Sequence, residues 1–151
     1  MEISAKADYA VRAVAELAAR EGRSMTTAEL ADAQGIPVQF LQNILLQLRR
    51  RGILHSQRGA EGGYRLSRPA SEITVADVLR AVEGPLAAIR GEPPEDQRYA
   101  GHAVALTDAW VALRVSLRGV LEEVTVRQLA DGNLPAGVAA TRDAPGARRS
   151  R

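Results

Sequence analysis

Three carboxamides, Gln39, Gln42 and Asn43, recur at three- and four-residue spacing, which gathers them on one face of a helix. A carboxamide both donates and accepts, so it bonds bidentately to adenine N6 and N7 in the DNA major groove. Around them, residues 37–68 carry Arg49, Arg50, Arg51, Arg58, Arg65 and Arg68 against the single acid Glu61, a local net charge of +5 in a chain of only +2. Guanidinium groups at this density suit phosphate. Amides for base edges and arginines for the backbone are the two parts that a DNA-reading surface needs. Other chemistries are poorly supplied. The absence of cysteine excludes disulfides, cysteine-held zinc, thiolate-bound iron–sulfur clusters and a cysteine nucleophile. His55 and His102 are too few for a three-histidine metal site, and 3% aromatics speak against base-stacking platforms. No glycine-rich phosphate loop opens a helix and no nucleophile–histidine pairing is visible, so an enzyme is not expected.

The elements that must position these groups follow from periodicity. Ala10, Val14 and Leu17, with Val11 and Ala18 beside them, predict a helix from Ser4 to Glu21. Thr26 and Glu29 have capping-box spacing, opening a second helix that Gly35 ends. A third begins with Pro37 in its first turn and buries Leu41, Ile44, Leu45 and Leu48, leaving the amides roughly opposite. Arg49 to Arg51 close it, where they either contact phosphates or simply favour the helix dipole. Two short helices joined by a glycine turn read as a helix-turn-helix. Strands at Ile53–Arg58 and Tyr64–Ser67, around Gly59, Gly62 and Gly63, form a hairpin, and a hairpin directly after a helix-turn-helix is a wing. Arg58, at the shoulder of that hairpin, is placed to enter a minor groove. Thr74 starts a further helix, stopped by Gly84-Pro85, and residues 90–103 read as a polar loop. Beyond it Leu106, Trp110, Leu113, Leu117, Val120 and Val124 recur at spacings of 4, 3, 4, 3 and 4, a heptad seam read as a dimerisation helix. Thr125 and Gln128 could cap a short last helix.

The runs Phe40-Leu41, Ile44-Leu45 and Leu48, then Gly52-Ile53-Leu54, Ser56, Arg58-Gly59, Gly62-Gly63-Tyr64 and Leu66, resemble the Rrf2 family of bacterial winged-helix transcription regulators. Ile73-Thr74, Asp77-Val78, Val82-Glu83-Gly84 and the opening Ser4 to Arg12 are similar to it too, so the likeness spans about residues 1–130. The resemblance implies a homodimer crossed by long helices, reading a pseudo-palindromic operator in double-stranded DNA and usually repressing transcription. It places Gln39, Gln42 and Asn43 on the base-reading helix, and Ser56 and Arg58 on the wing. Many members also hold an iron–sulfur cluster in the loop before the dimer helix, through three cysteines and often a further residue. This chain departs there: Gly91 to His102 contain no thiolate. Asp108 stands where one type of member has a histidine ligand. Asp8 and Arg12 stand where others recruit one from the first helix, and Arg12 cannot ligate.

The expected protein is mainly α with a small β-wing. It comprises a winged helix-turn-helix domain at 1–84, a loop and dimerisation helix at 85–130, and a disordered tail at 131–151. Its expected DNA contacts are Gln39, Gln42, Asn43, Arg50, Ser56, Arg58 and Gly59; its expected cofactor is none. It is read as a cytoplasmic regulator with no signal peptide or membrane span, open to a small-molecule or protein effector. The alternative is a winged-helix protein–protein module without specific DNA binding.

Overall fold

Ser4 starts the first helix, its hydroxyl accepting the Ala7 amide at 3.0 Å, and α1 runs Ala5–Ala19. The structure is a computed structural model, and it describes residues 2–148. Ala10, Ala13, Val14, Leu17 and Ala18 form a fully buried stripe whose small side chains let neighbouring helices approach closely. Helices α2 (Thr27–Gln34), α3 (Val38–Arg50), α4 (Val75–Glu83) and α6 (Val126–Ala130) all pack on α1.

The Thr26–Glu29 capping box forms in full, and Gly35 ends α2 in the left-handed region at φ 61°. Pro37 sits at the N-cap of α3 rather than inside it, and Leu41, Ile44, Leu45 and Leu48 are buried. The first core therefore lies between α1, the helix pair α2–α3 and α4.

Strands β1 (Leu54–Gln57) and β2 (Gly63–Leu66) pair antiparallel, with Leu54 opposite Leu66 and Gln57 opposite Gly63. Residue 25, ahead of α2, adds a single antiparallel bridge on the other edge of β2. Met25 donates to the Tyr64 carbonyl at 2.9 Å and accepts from the Tyr64 amide at 2.7 Å. Gly63, at φ +138°, lies so close to this bridge that a Cβ there would stand 2.9 Å from the Thr26 nitrogen and nearer still to the Met25 carbonyl. The glycine is demanded by this approach of two backbones as well as by the turn.

The starts of α4 and α6 also join. Val75 donates to the Val124 carbonyl at 2.9 Å, and Val126 donates to the Ile73 carbonyl at 2.8 Å. These are first-turn amides, which a helix cannot satisfy internally. Thr74 and Thr125, the residues between them, each complete a capping box. Val126 is fully buried in the first core, so α6 packs with the winged domain although it follows the long helix in sequence.

Helix α5 (Leu106–Leu121) stands apart, touching chiefly α4 and a 3-10 turn at Pro94–Asp96. None of its residues is buried. Two expectations need correction. Val124 is only 5% exposed and packs with Val75 and Val138, so it is not part of a free seam. The helix ends at Leu121, and the chain turns through Glu122-Glu123 to meet the start of α4. Nor is the stretch from 131 unstructured throughout: α7 (Ala136–Asp143) covers Val75 and Val124 with Val138. One valine with Leu134 beside it suffices to seat so short a helix. The last part of the expected tail, 149–151, lies outside the described residues.

Candidate nucleic-acid interface

Gln39, Gln42 and Asn43 are all exposed on α3, opposite the buried leucines and isoleucine. Because Leu41, Ile44, Leu45 and Leu48 are locked in the core, the rotation of α3 about its axis is fixed, and with it the direction of the amides. Two apolar side chains, not among the expected contacts, share this N-terminal half: Val38 is 44% exposed and Phe40 is 47% exposed. Phe40 meets Tyr9 edge-to-face at 5.6 Å, and the Arg12 guanidinium lies over the Tyr9 ring at 5.4 Å. Val38 has the chemistry for a thymine methyl contact. The cue in the sequence is an apolar residue off the buried period of α3.

Ser56, Arg58 and Gly59 are exposed on the wing. Ser56 accepts a hydrogen bond from Arg49 Nη1 at 3.2 Å, which ties the last turn of α3 to β1. Arg49 thereby braces the wing against the recognition helix. Gly59 takes φ +100° at the wing tip, and a Cβ on Gly62 would stand 2.6 Å from the Gly59 carbonyl, so the tip is tightly folded. Arg50 is exposed at the end of α3 and joins none of the ion pairs among the described residues.

Hydrogen-bonded carboxylates tie this platform together. The Thr26 amide and hydroxyl hold the Glu29 carboxyl below its ordinary range. The Ala70 amide, followed by the Arg127 guanidinium, does the same for Glu21, joining α1, α6 and the turn after the wing.

The loop before α5 is closed by Gln97, the one buried polar residue among the described residues, whose Oε1 accepts from Arg90 Nη2 at 2.7 Å. Thr107 donates to the Gln97 carbonyl at 3.1 Å. No three His, Asp or Glu side chains gather as a metal site among the described residues, and the chain has no cysteine. The residues present do not fit an iron–sulfur cluster.

A helix-turn-helix with an amide-bearing second helix, followed by a two-stranded wing, makes this a winged helix-turn-helix protein of the DNA-binding class. A family model described as Rrf2, iron-dependent transcriptional regulator, matches residues 3–132. A Mycobacterium tuberculosis protein that bears the name of an HTH-type transcriptional regulator is 53% identical over 144 residues, 95% of this chain and 89% of its own. The regulator CymR of Bacillus subtilis is 31% identical over 131 residues, 86% of this chain and 90% of its own. Its solved structure, described as that of the global cysteine regulator, superposes with a TM-score of 0.73 at 29% identity over 88% of this chain and 98% of that one. IscR of T. potens gives a TM-score of 0.71 at 27% identity, over 88% and 89%. The chain belongs to the Rrf2 family of HTH-type transcriptional regulators, and it is not an enzyme. Among the described residues no helix is long and apolar enough to cross a membrane.

Proposed function

We propose that the protein is a homodimeric, sequence-specific repressor that reads a pseudo-palindromic operator without an iron–sulfur cluster. The observation that carries this reading is the exposed amide face of α3, fixed in rotation by its buried opposite face and braced to an arginine-bearing wing through Arg49 and Ser56. Gln39, Gln42 and Asn43 meet base edges in the major groove, Arg58 enters the adjoining minor groove, and Arg50, Ser56 and the Gly59 amide take phosphates. A second copy is supported by α5. This 16-residue helix has no buried residue and carries Trp110, Leu113 and Leu117 along one side, each only partly covered by its own chain, whereas Val120 packs on the second core beside Val124. Two copies joined along that face present two recognition helices, which matches an operator with half-sites one helical turn apart.

The test is a gel-shift titration against an operator recovered by genome-wide footprinting with the full chain. Affinity falls steeply with salt as phosphate contacts release counterions. Arg58→Ala and Gln42→Ala each weaken the operator complex by about 1–3 kcal/mol. Salt-independent binding, or operator affinity unchanged in both variants, would instead favour a protein-binding module.

A further inference from the structure

The end of α3, helix α4 and helix α5 border an open cleft of about 450 Å³, lined by Arg51, Arg80, Arg114 and Arg118 with Glu95 and Leu86. Four guanidinium groups converging on one cleft repel each other unless anions sit among them. The chain supplies two carboxylates. Glu95 pairs with Arg114 Nη2 at 2.6 Å, and Glu122 takes Arg118 Nε at 3.0 Å together with Arg80. That leaves an excess of two positive charges. Arg51 joins none of the ion pairs among the described residues.

A second observation points to a ligand. Arg114 Nε is buried and has no hydrogen-bond partner, while the neighbouring Nη2 of the same guanidinium holds Glu95. Buried donors are almost always satisfied, and an orphaned one calls for a missing acceptor. The Nε edge of a guanidinium is one of the two sides on which an oxyanion binds through a pair of parallel hydrogen bonds.

We propose that this cleft binds a small dianion bearing phosphate or carboxylate groups, held between Arg51 at the end of α3 and Arg114 and Arg118 on α5. Arg114 and Arg118 lie one turn apart on α5, and both line the cleft. Arg51 reaches from the C-cap of the recognition helix. The ligand therefore bridges the DNA-reading helix to the long helix, and its occupancy sets the tilt of one against the other. That last consequence rests on the repressor reading; the binding site itself does not.

The experiment is calorimetric titration of the DNA-free full chain at pH 8 with inorganic phosphate and, separately, with succinate, both dianions there, at constant ionic strength. At least one of the two saturates a single site per chain, and the two arms separate phosphate from carboxylate recognition. Arg114→Gln weakens that binding about tenfold or more, as loss of a charge-assisted bidentate contact requires. Arg118→Gln, at a half-exposed position, does the same in a chain whose far-UV circular dichroism is unchanged. Arg142→Gln, on α7 and away from the cleft, binds as the unaltered chain does. Failure of both anions to saturate, or equal binding by Arg114→Gln and Arg118→Gln, overturns the site. Since no DNA is present, such a failure leaves the operator reading untouched, and a failed operator assay leaves the anion site untouched.

Discussion

Replacing Gly63 by alanine should cost more than replacing Gly59, although both glycines have positive φ. An L-residue at either position bears backbone strain of about 1–3 kcal/mol. At Gly59, φ +100°, a Cβ meets nothing within 4 Å, so strain is the whole cost. At Gly63, φ +138°, the Cβ drives into the Met25 carbonyl and the Thr26 nitrogen. Met25 is 1% exposed and has no room to retreat, so the rung between Met25 and Tyr64 has to open. Its two backbone hydrogen bonds are worth about 0.5–1.5 kcal/mol each, adding about 1–3 kcal/mol at Gly63 alone. The assay is urea unfolding followed by circular dichroism, at one protein concentration because an oligomer's stability depends on it. The expected outcome is a larger midpoint shift for Gly63→Ala than for Gly59→Ala, with similar slopes. Equal shifts in the two variants would show that the close approach to residue 25 contributes nothing, and the reasoning would fail.

Leu117→Glu places a carboxylate in the proposed dimer seam, costing about 3–5 kcal/mol against association if the seam is buried. Sedimentation equilibrium should show a monomer with native circular dichroism. Val124→Ala, in contrast, lowers stability by about 1–3 kcal/mol and leaves the mass unchanged. Acid should weaken the fold through Glu21. Its carboxyl is held below the ordinary value of 4.5, first by the Ala70 amide and then by Arg127. A depressed folded pKa gives stability that is present above the unfolded value and lost as pH falls through the folded one. The melting temperature should therefore decline below about pH 4.5, and less steeply in Glu21→Gln; parallel declines would contradict the assignment.

Much of the fold was legible because its signals are local. Thr26–Glu29, Thr74–Asp77 and Thr125–Gln128 announce three helix starts by spacing alone, and all three capping boxes form. The amphipathic period of α3 shows which of its faces is free. What escaped depends on residues far apart in sequence. The Met25 rung is a single residue with no alternation to reveal it. The heptad spacing runs on to Val124 because spacing does not register the turn at Glu122-Glu123. The α7 segment, rich in alanine, glycine and arginine, looks like a loop until Val138 finds its two valine neighbours. Arg51, Arg80, Arg114 and Arg118 each read as ordinary surface charge, and only folding brings them to one cleft.

The pairing of Ile73 and Val75 with Val124 and Val126 has a bearing on how the protein is made. The winged domain closes through its own first half and through a strip of chain that emerges after the whole of α5. A ribosome therefore never releases a finished DNA-reading domain ahead of the long helix. A copy cut short within residues 85–121 lacks the buried Val126 and the two amide bonds that seal the starts of α4 and α6. The order of the chain itself thus ties completion of the winged domain to synthesis of the long helix.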